Sequence, residues 1–198
     1  MGYRNREVEI KLQVMSGHSL VQVRDLVEKY VVAKFPNYDE EDDFIVGDAS
    51  DLYWHAPVGS IGDFVRLRQK TGGSGQVTMK AKDRGNQTDR VEIDVEVEYS
   101  QGKALMLGLF NEPIQKVRKR YYVFRLGDEH TTISVYKIRS DERIFIEVEA
   151  ITTREVFTIS DQLANYTALN LSVVQNSIYD IFVCGIEPVL TPLTEFLS

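Results

Sequence analysis

The chain contains little cysteine, histidine and proline, and no low-complexity run. Cys184 is the one cysteine among 198 residues, so no disulfide forms within the chain. It lies in the apolar run IFVCG, where we expect a buried, inert thiol. The three histidines do not cluster with it at metal-ligand spacing. We expect a single domain over residues 1–198, with 185–198 as a C-terminal tail that could pack across a homodimer.

Positive charge is also scarce, because 23 Lys and Arg face 30 Asp and Glu, for a net charge of -7. Duplex nucleic acid and anionic membranes both require a basic surface, so we expect neither as a partner. No apolar run is long enough to cross a bilayer, and the N-terminus MGYRNREVE lacks the apolar segment of a signal peptide. We therefore expect a cytoplasmic protein.

Several familiar catalytic motifs are missing as well. The chain has no G-x-S-x-G nucleophile elbow, no Walker loop and no Rossmann fingerprint. Its GGSG segment lies between two predicted strands and opens no helix, unlike a phosphate-binding loop. Chemistry without a covalent nucleophile is therefore favoured.

Strands in which charged and apolar residues alternate are abundant. The segment REVEIKLQV places Glu7, Glu9 and Lys11 on one face of a strand and apolar residues on the other. A solvated face is the ordinary interpretation of one such strand. Here, however, strand after strand carries a face of Glu with Asp or of Arg with Lys. Further strands are predicted near residues 44–45, 51–56, 63–70, 76–82, 90–98, 114–124, 131–138 and 143–151.

Four helices are predicted between and after the strands. Ser19 is expected to cap a helix that continues to Phe35, and a short helix is expected over 103–110. In the C-terminal part, Ser160 is expected to cap DQLANYTAL, and Ser172 a helix that includes VVQNSIYDIFV. The apolar stripes of these helices would cover the apolar faces of the strands.

A closed sheet would place the charged faces inside, where ions are costly unless they pair or bind ligands. Carboxylates from different strands can hold Mg²⁺ or Mn²⁺, which prefer oxygen ligands, and Arg and Lys can clamp a polyphosphate. The pattern therefore favours metal-assisted phosphate chemistry.

The order of several short motifs resembles one protein family. EVEIK matches the E-x-E-x-K signature of the CYTH, or triphosphate tunnel metalloenzyme, superfamily. The later segments DLYW, RLR, TMKAK, RVEID, KVRKRY, FIEVEA and NSIYDIF follow in the order typical of that family. The resemblance spans roughly residues 7–181, and the ordered set carries it, since E-x-E-x-K alone is a weak signal.

The resemblance implies an α+β fold with a closed antiparallel eight-stranded β-barrel and helices packed on the outside. It also implies a triphosphate or nucleotide substrate and Mg²⁺ or Mn²⁺ as cofactor. Glu9 and Lys11 would be catalytic, Lys11 by positioning the attacking water. The implied metal ligands are Glu7, Glu9, Glu92, Asp94, Glu147 and Glu149. The implied phosphate-binding residues are Lys11, Arg66, Arg68, Lys80, Lys82, Arg90, Lys116 and Arg118.

Three functions are compatible with this resemblance. The first is a metal-dependent hydrolase of inorganic, nucleoside or thiamine triphosphate. The second is a class IV adenylate cyclase, although YRNREVE lacks the His-Phe pair that precedes the signature in some cyclases. The third is a non-catalytic nucleotide or triphosphate binder, because Ser134, Tyr136 and Lys137 occupy the neighbourhood where many members carry an aspartate.

Overall fold

The structure is a computed structural model that describes residues 3–58, 62–70, 73–81, 89–127 and 130–197, and its fold is α+β. The strands are β1 Tyr3–Val14, β2 Phe44–His55, β3 Gly62–Gln69, β4 Ser74–Ala81, β5 Asp89–Glu98, β6 Gln115–Arg125, β7 Thr132–Ile138, β8 Ile144–Ala150, β9 Leu171–Val174 and β10 Leu190–Pro192. The helices are α1 Leu20–Lys34, α2 Glu40–Asp43, α3 Tyr99–Phe110, α4 Thr153–Thr167, α5 Ile178–Phe182 and α6 Leu193–Phe196. Within the described ranges, no helix combines the length and the apolar character needed to cross a membrane.

The strands form one ten-stranded sheet in the order β10-β9-β1-β5-β4-β3-β2-β6-β7-β8, and β1 also pairs with β8. The family resemblance implied eight strands. The segments predicted near 44–45 and 51–56 form the single strand β2, and the additional two strands come from the C-terminal part. Strand β9 pairs antiparallel with β1 through Leu12 and Val173, and β10 pairs with β9. Part of the expected tail 185–198 therefore belongs to the sheet.

The chain divides into two compact units. The first comprises Met1–Glu7, Asp48–Lys119 and Asn176–Glu187. Its core brings Leu52, Trp54, Val65, Leu67 and Met106 together, as α3 packs on β3, β4 and β5. The Trp54 indole Nε1 donates to the Asn111 carbonyl at 3.1 Å, so this aromatic side chain has a core role.

The second unit comprises Val8–Gly47, Arg120–Gln175 and Pro188–Ser198. The apolar side of β1 is buried here, with Ile10 and Leu12 in a cluster that also contains Val27 of α1 and Leu163 of α4. Helix α1 begins as expected, because Ser19 and Gln22 form a reciprocal capping box. Glu9 and Lys11 therefore lie on the other face of β1.

The C-terminal helices begin at residues other than those predicted. Thr152 caps α4 in a capping box with Glu155, whereas Ser160 is buried inside the helix and donates to the Val156 carbonyl at 2.7 Å. Ser172 lies in β9, and Ser177 caps α5. Ser160 has Leu163 three residues later and so satisfies only the local preference for a cap. Thr152 also has its Glu partner three residues later.

Cys184 differs from expectation too, because it is exposed beyond the end of α5. Its backbone N–H donates to the Tyr179 carbonyl at 3.0 Å, which ends the helix. The apolar run in which it lies is therefore not a buried strand or helix at this point.

The cap assignment can be tested by comparing two single substitutions. We expect Thr152→Ala to lower the free energy of unfolding by about 1 kcal/mol, because the Glu155 N–H loses its side-chain acceptor. Ser160→Ala should cost less, since its hydroxyl only adds a bond to a carbonyl within the helix. Urea denaturation measures both values, and a larger loss for Ser160→Ala would contradict the assignment.

Candidate functional site

The charged face of β1 meets the charged face of β8 in the second unit. Glu9 and Lys11 are buried, with 6% and 7% of their surfaces exposed. The antiparallel register places Glu149 directly opposite Glu9 and Glu147 directly opposite Lys11. Directly opposed residues of antiparallel strands share a face, so these four ionisable groups form one cluster.

Hydrogen bonds from β7 hold the two β8 carboxylates of this cluster. Lys11 Nζ lies 3.1 Å from Glu147 Oε1, and the Tyr136 hydroxyl donates to the same oxygen at 2.8 Å. The Thr132 hydroxyl donates to Glu149 Oε2 at 3.0 Å. A buried ion pair with additional hydrogen bonds meets the condition under which burial of charge is tolerated.

The donor chemistry of this cluster fits a hard divalent cation. Glu9 and Glu149 are carboxylates directly opposite each other, and a bound cation would reduce the repulsion within such a like-charged pair. Mg²⁺ is usually held by one or two carboxylates together with waters and substrate phosphates. Among the residues that the structure describes, no three His, Cys, Asp or Glu side chains form a ready-made metal site. The opposed carboxylates of Glu9 and Glu149 fit part of the ligand set of such a cation.

A second charged face lies on β2 and β3 in the first unit. Asp51 accepts two hydrogen bonds from the Arg68 guanidinium, from Nε at 2.8 Å and from the terminal nitrogen at 2.9 Å. Burial alone would raise the pKa of Asp51, but the charges of Arg68, Arg66 and Lys119, with the Arg68 hydrogen bond, hold it well below its usual range. Arg68 is therefore engaged with a carboxylate of its own chain.

Arg66 belongs to a chain of side chains across three strands. Its guanidinium donates to the Thr78 hydroxyl of β4 at 2.9 Å, and that hydroxyl donates to Asp94 of β5 at 2.5 Å. Thr78 is completely buried. This series of hydrogen bonds places the Asp94 carboxylate, one of the predicted metal ligands, on the same face of the sheet as Arg66.

The basic residues of β6 occupy both of its faces. The positive charge of Lys119 helps to lower the pKa of Asp51, so this β6 residue is close enough to the β2–β3 charges to act on them. Lys116 and Arg118 are exposed and alternate with Lys119, which puts them on the opposite face of the strand. The phosphate-binding role implied for Lys116 and Arg118 stays a prediction, and Lys119 is a further basic residue of this strand near Asp51.

Several predicted site residues lack a described side chain. The backbones of Glu7, Lys80, Arg90 and Glu92 lie in β1, β4 and β5, and Lys80 is opposite Glu92 in the strand register. Lys82 lies outside the described residues. The arrangement of these five side chains stays a prediction.

An aromatic cluster lies next to Arg66 in the first unit. The Phe64 and Tyr179 rings stack at 4.7 Å, Tyr53 contacts both rings, and His55 Nδ1 lies 2.7 Å from the Tyr179 hydroxyl. Burial raises the pKa of Tyr53 to about 12, and the neighbouring Asp51 charge adds to the rise. Tyr53 is thus a neutral phenol within the cluster.

Sequence comparison identifies no relative, since neither a family model nor a curated protein matches the chain. Solved structures do match. A Hippeastrum protein described as an adenylyl cyclase candidate with a dominant triphosphatase activity aligns with a TM-score of 0.65 and 14% identity, over 96% of this chain and 99% of that one. An adenylate cyclase candidate from Vibrio parahaemolyticus has a TM-score of 0.61 and 17% identity, over 90% and 98%.

A third structure is the PH1819 protein from Pyrococcus horikoshii, with a TM-score of 0.63 and 16% identity, over 91% of this chain and 99% of that one. At these identities the similarity is one of fold. The near-complete coverage on both sides means that the shared fold extends over almost the whole chain.

The buried Asp51 carboxylate predicts a pH dependence of stability. Because its pKa is lowered on folding, its contribution is complete above the unfolded value of about 4 and is lost as the pH falls below it. At pH 7, Asp51→Asn should lower the free energy of unfolding by about 3 kcal/mol, since Arg68 loses its partner. Between about pH 5 and 2, the variant should lose less stability than the wild type.

Urea denaturation as a function of pH measures this difference. Glu142→Gln serves as the control, because the Glu142 side chain is 97% exposed and should leave the pH profile unchanged. Parallel profiles for wild type and Asp51→Asn would contradict the role of Asp51.

Proposed function

We propose that this chain, which has the fold of the CYTH or triphosphate tunnel metalloenzyme superfamily, is a metal-dependent hydrolase of a triphosphate compound. The substrate class comprises inorganic, nucleoside and thiamine triphosphates. The observation that carries the proposal is the buried Lys11–Glu147 ion pair beside the opposed carboxylates of Glu9 and Glu149. Cations and carboxylates interleaved on buried strand faces suit a polyphosphate bound together with a divalent cation.

The proposal includes a single domain over 1–198 and a closed eight-stranded barrel. Strand order supports closure, because the sequence of neighbours leads from β1 through β5, β4, β3, β2, β6 and β7 to β8, and β1 pairs with β8. Strands β9 and β10 would then extend the sheet at β1. In this arrangement the charged strand faces would surround the substrate.

Each charged group has a distinct task in the proposed reaction. Glu9 and Glu149 would hold Mg²⁺ or Mn²⁺, with Glu147, Asp94, Glu92 and Glu7 as further candidate ligands. Lys11 would contact the terminal phosphate and orient the attacking water. A bound divalent cation would neutralise phosphate charge and supply an activated water for in-line attack.

The phosphate oxygens would be bound by the basic residues of the first unit. Arg66 is the leading candidate, because its Thr78 hydrogen bond fixes the guanidinium. Arg68 would act mainly through its charge, since Asp51 accepts two of its hydrogen bonds. Lys119 joins this set. The other candidates are Lys80, Lys82, Arg90, Lys116 and Arg118.

Adenylate cyclase activity is the second candidate. It is favoured by the adenylate cyclase candidate from Vibrio parahaemolyticus among the structural neighbours. In that reaction the ribose 3′-hydroxyl attacks the α-phosphate and pyrophosphate leaves. The same binding faces would serve both reactions, because both use a triphosphate.

The products distinguish these functions. Purified protein is incubated with ATP, tripolyphosphate or thiamine triphosphate, each with Mg²⁺ or Mn²⁺. Orthophosphate release supports the hydrolase, whereas cyclic AMP with pyrophosphate supports the cyclase. Tight binding of all three compounds without turnover would contradict both and indicate a binding protein.

Glu9→Gln tests the metal assignment. The change removes one of the two opposed carboxylate charges while keeping the shape of the side chain, so we expect metal-dependent turnover to be abolished and the fold retained. Product release and the melting temperature are measured together. Glu96→Gln is the matched control, because Glu96 is 62% exposed, and turnover in Glu9→Gln equal to this control would refute the assignment.

Arg66→Ala tests the phosphate contact. We expect KM to rise about 10- to 100-fold with a smaller change in kcat, because a charge-assisted hydrogen bond to substrate contributes about 1.5–3 kcal/mol. Arg154→Ala, at an exposed position on α4, is the control for loss of one positive charge. An unaltered KM would remove Arg66 from the binding face.

A further inference from the structure

We propose that Tyr136 is a positioning residue for Glu147. The Tyr136 hydroxyl sets the orientation in which the Glu147 carboxylate binds the divalent cation. The inference rests on the proposed function, because it assumes that the β1–β8 cluster binds the cation. Tyr136 was noted in the sequence only where many family members carry an aspartate. Its role follows from contacts that depend on the strand register.

Two donors converge on one oxygen of Glu147. The Tyr136 hydroxyl donates to Oε1 at 2.8 Å, and Lys11 Nζ lies 3.1 Å from the same atom. Tyr136 is 1% exposed and Lys11 is 7% exposed, so bulk water competes little with either contact. The hydroxyl and the ammonium together restrict rotation of the carboxylate about its terminal torsion, which is otherwise broad.

The tyrosine ring is itself held in place. Tyr136 is directly opposite Phe145 in the β7–β8 register, and the two rings stack at 5.5 Å with 23° between their planes. Glu147 is two residues farther along β8, which makes it the diagonal neighbour of Tyr136, within reach of an aromatic side chain. Packing against the fully buried Phe145 therefore fixes the position of the hydroxyl.

A role in packing alone would not require the hydroxyl group. Phenylalanine would stack on Phe145 equally well, and the buried phenol oxygen carries a desolvation cost that its hydrogen bond to Glu147 offsets. Hydrogen bonds that orient ligating carboxylates contribute about 10- to 100-fold in metal affinity or activity. Loss of the Tyr136 hydroxyl should therefore weaken cation binding while leaving the core packed.

The test uses Tyr136→Phe and Mn²⁺ as the probe. Electron paramagnetic resonance of free Mn²⁺ gives the Kd of each protein in the absence of substrate. We expect the Kd to rise about 10-fold in Tyr136→Phe. Tyr166→Phe is the matched control, because Tyr166 is 48% exposed on α4, and its Kd should equal that of the wild type.

A double-mutant cycle separates positioning from a general structural effect. If Tyr136 acts through Glu147, Tyr136→Phe should have almost no further effect on the Kd for Mn²⁺ once Glu147→Gln is present. Additive effects of the two substitutions would overturn the inference. Melting temperatures are recorded for every variant, and the cycle also gives an answer if Tyr136→Phe lowers stability, because the single and double variants share that loss.

Outcomes for the inference and for the proposed function are distinguishable. A wild type that binds Mn²⁺ and hydrolyses triphosphate, with an unchanged Kd in Tyr136→Phe, overturns the inference alone. A wild type that binds Mn²⁺ but turns over no triphosphate refutes the proposed hydrolase, and the cycle still decides the role of Tyr136. A wild type that binds no Mn²⁺ overturns both.

Discussion

Pairing of buried charges is the constraint on which the rest of the structure depends. Helices cover one face of β1 and β3, and Glu9 and Lys11 of β1, like Arg66 and Arg68 of β3, lie on the other face. There, Lys11 has Glu147 as its partner and Arg68 has Asp51. Removal of either partner would leave a buried charge uncompensated, which proteins tolerate poorly. The charged faces are therefore as much a condition of folding as a candidate for chemistry.

Much of the fold was predictable because strand periodicity is local information. The alternation in β1 and β3 assigned apolar and charged residues to the correct faces, and the predicted Ser19 helix cap is confirmed. The expected α+β fold is confirmed, and solved structures share this fold over almost the whole chain. The ordered short motifs thus carried more information about the fold than overall sequence identity did.

The features that the sequence did not predict occur where local sequence rules permit more than one structure. In β6, Arg118, Lys119 and Arg120 are consecutive, so alternation alone does not reveal that the charge of Lys119 acts on Asp51. Both Thr152 and Ser160 satisfy the preference for a helix cap. The Tyr136–Glu147 bond is a diagonal contact that depends on register, and no single-strand pattern contains register information.

The different exposure of the ion pairs has a consequence for behaviour in salt solutions. Asp51 and Arg68 are 3% and 21% exposed, whereas Lys70 and Glu96 are 37% and 62% exposed. Dissolved ions screen exposed charges strongly and buried pairs much less. Rising ionic strength should therefore weaken the attraction of a polyanion to the protein well before it weakens the ion pairs that stabilise the sheet.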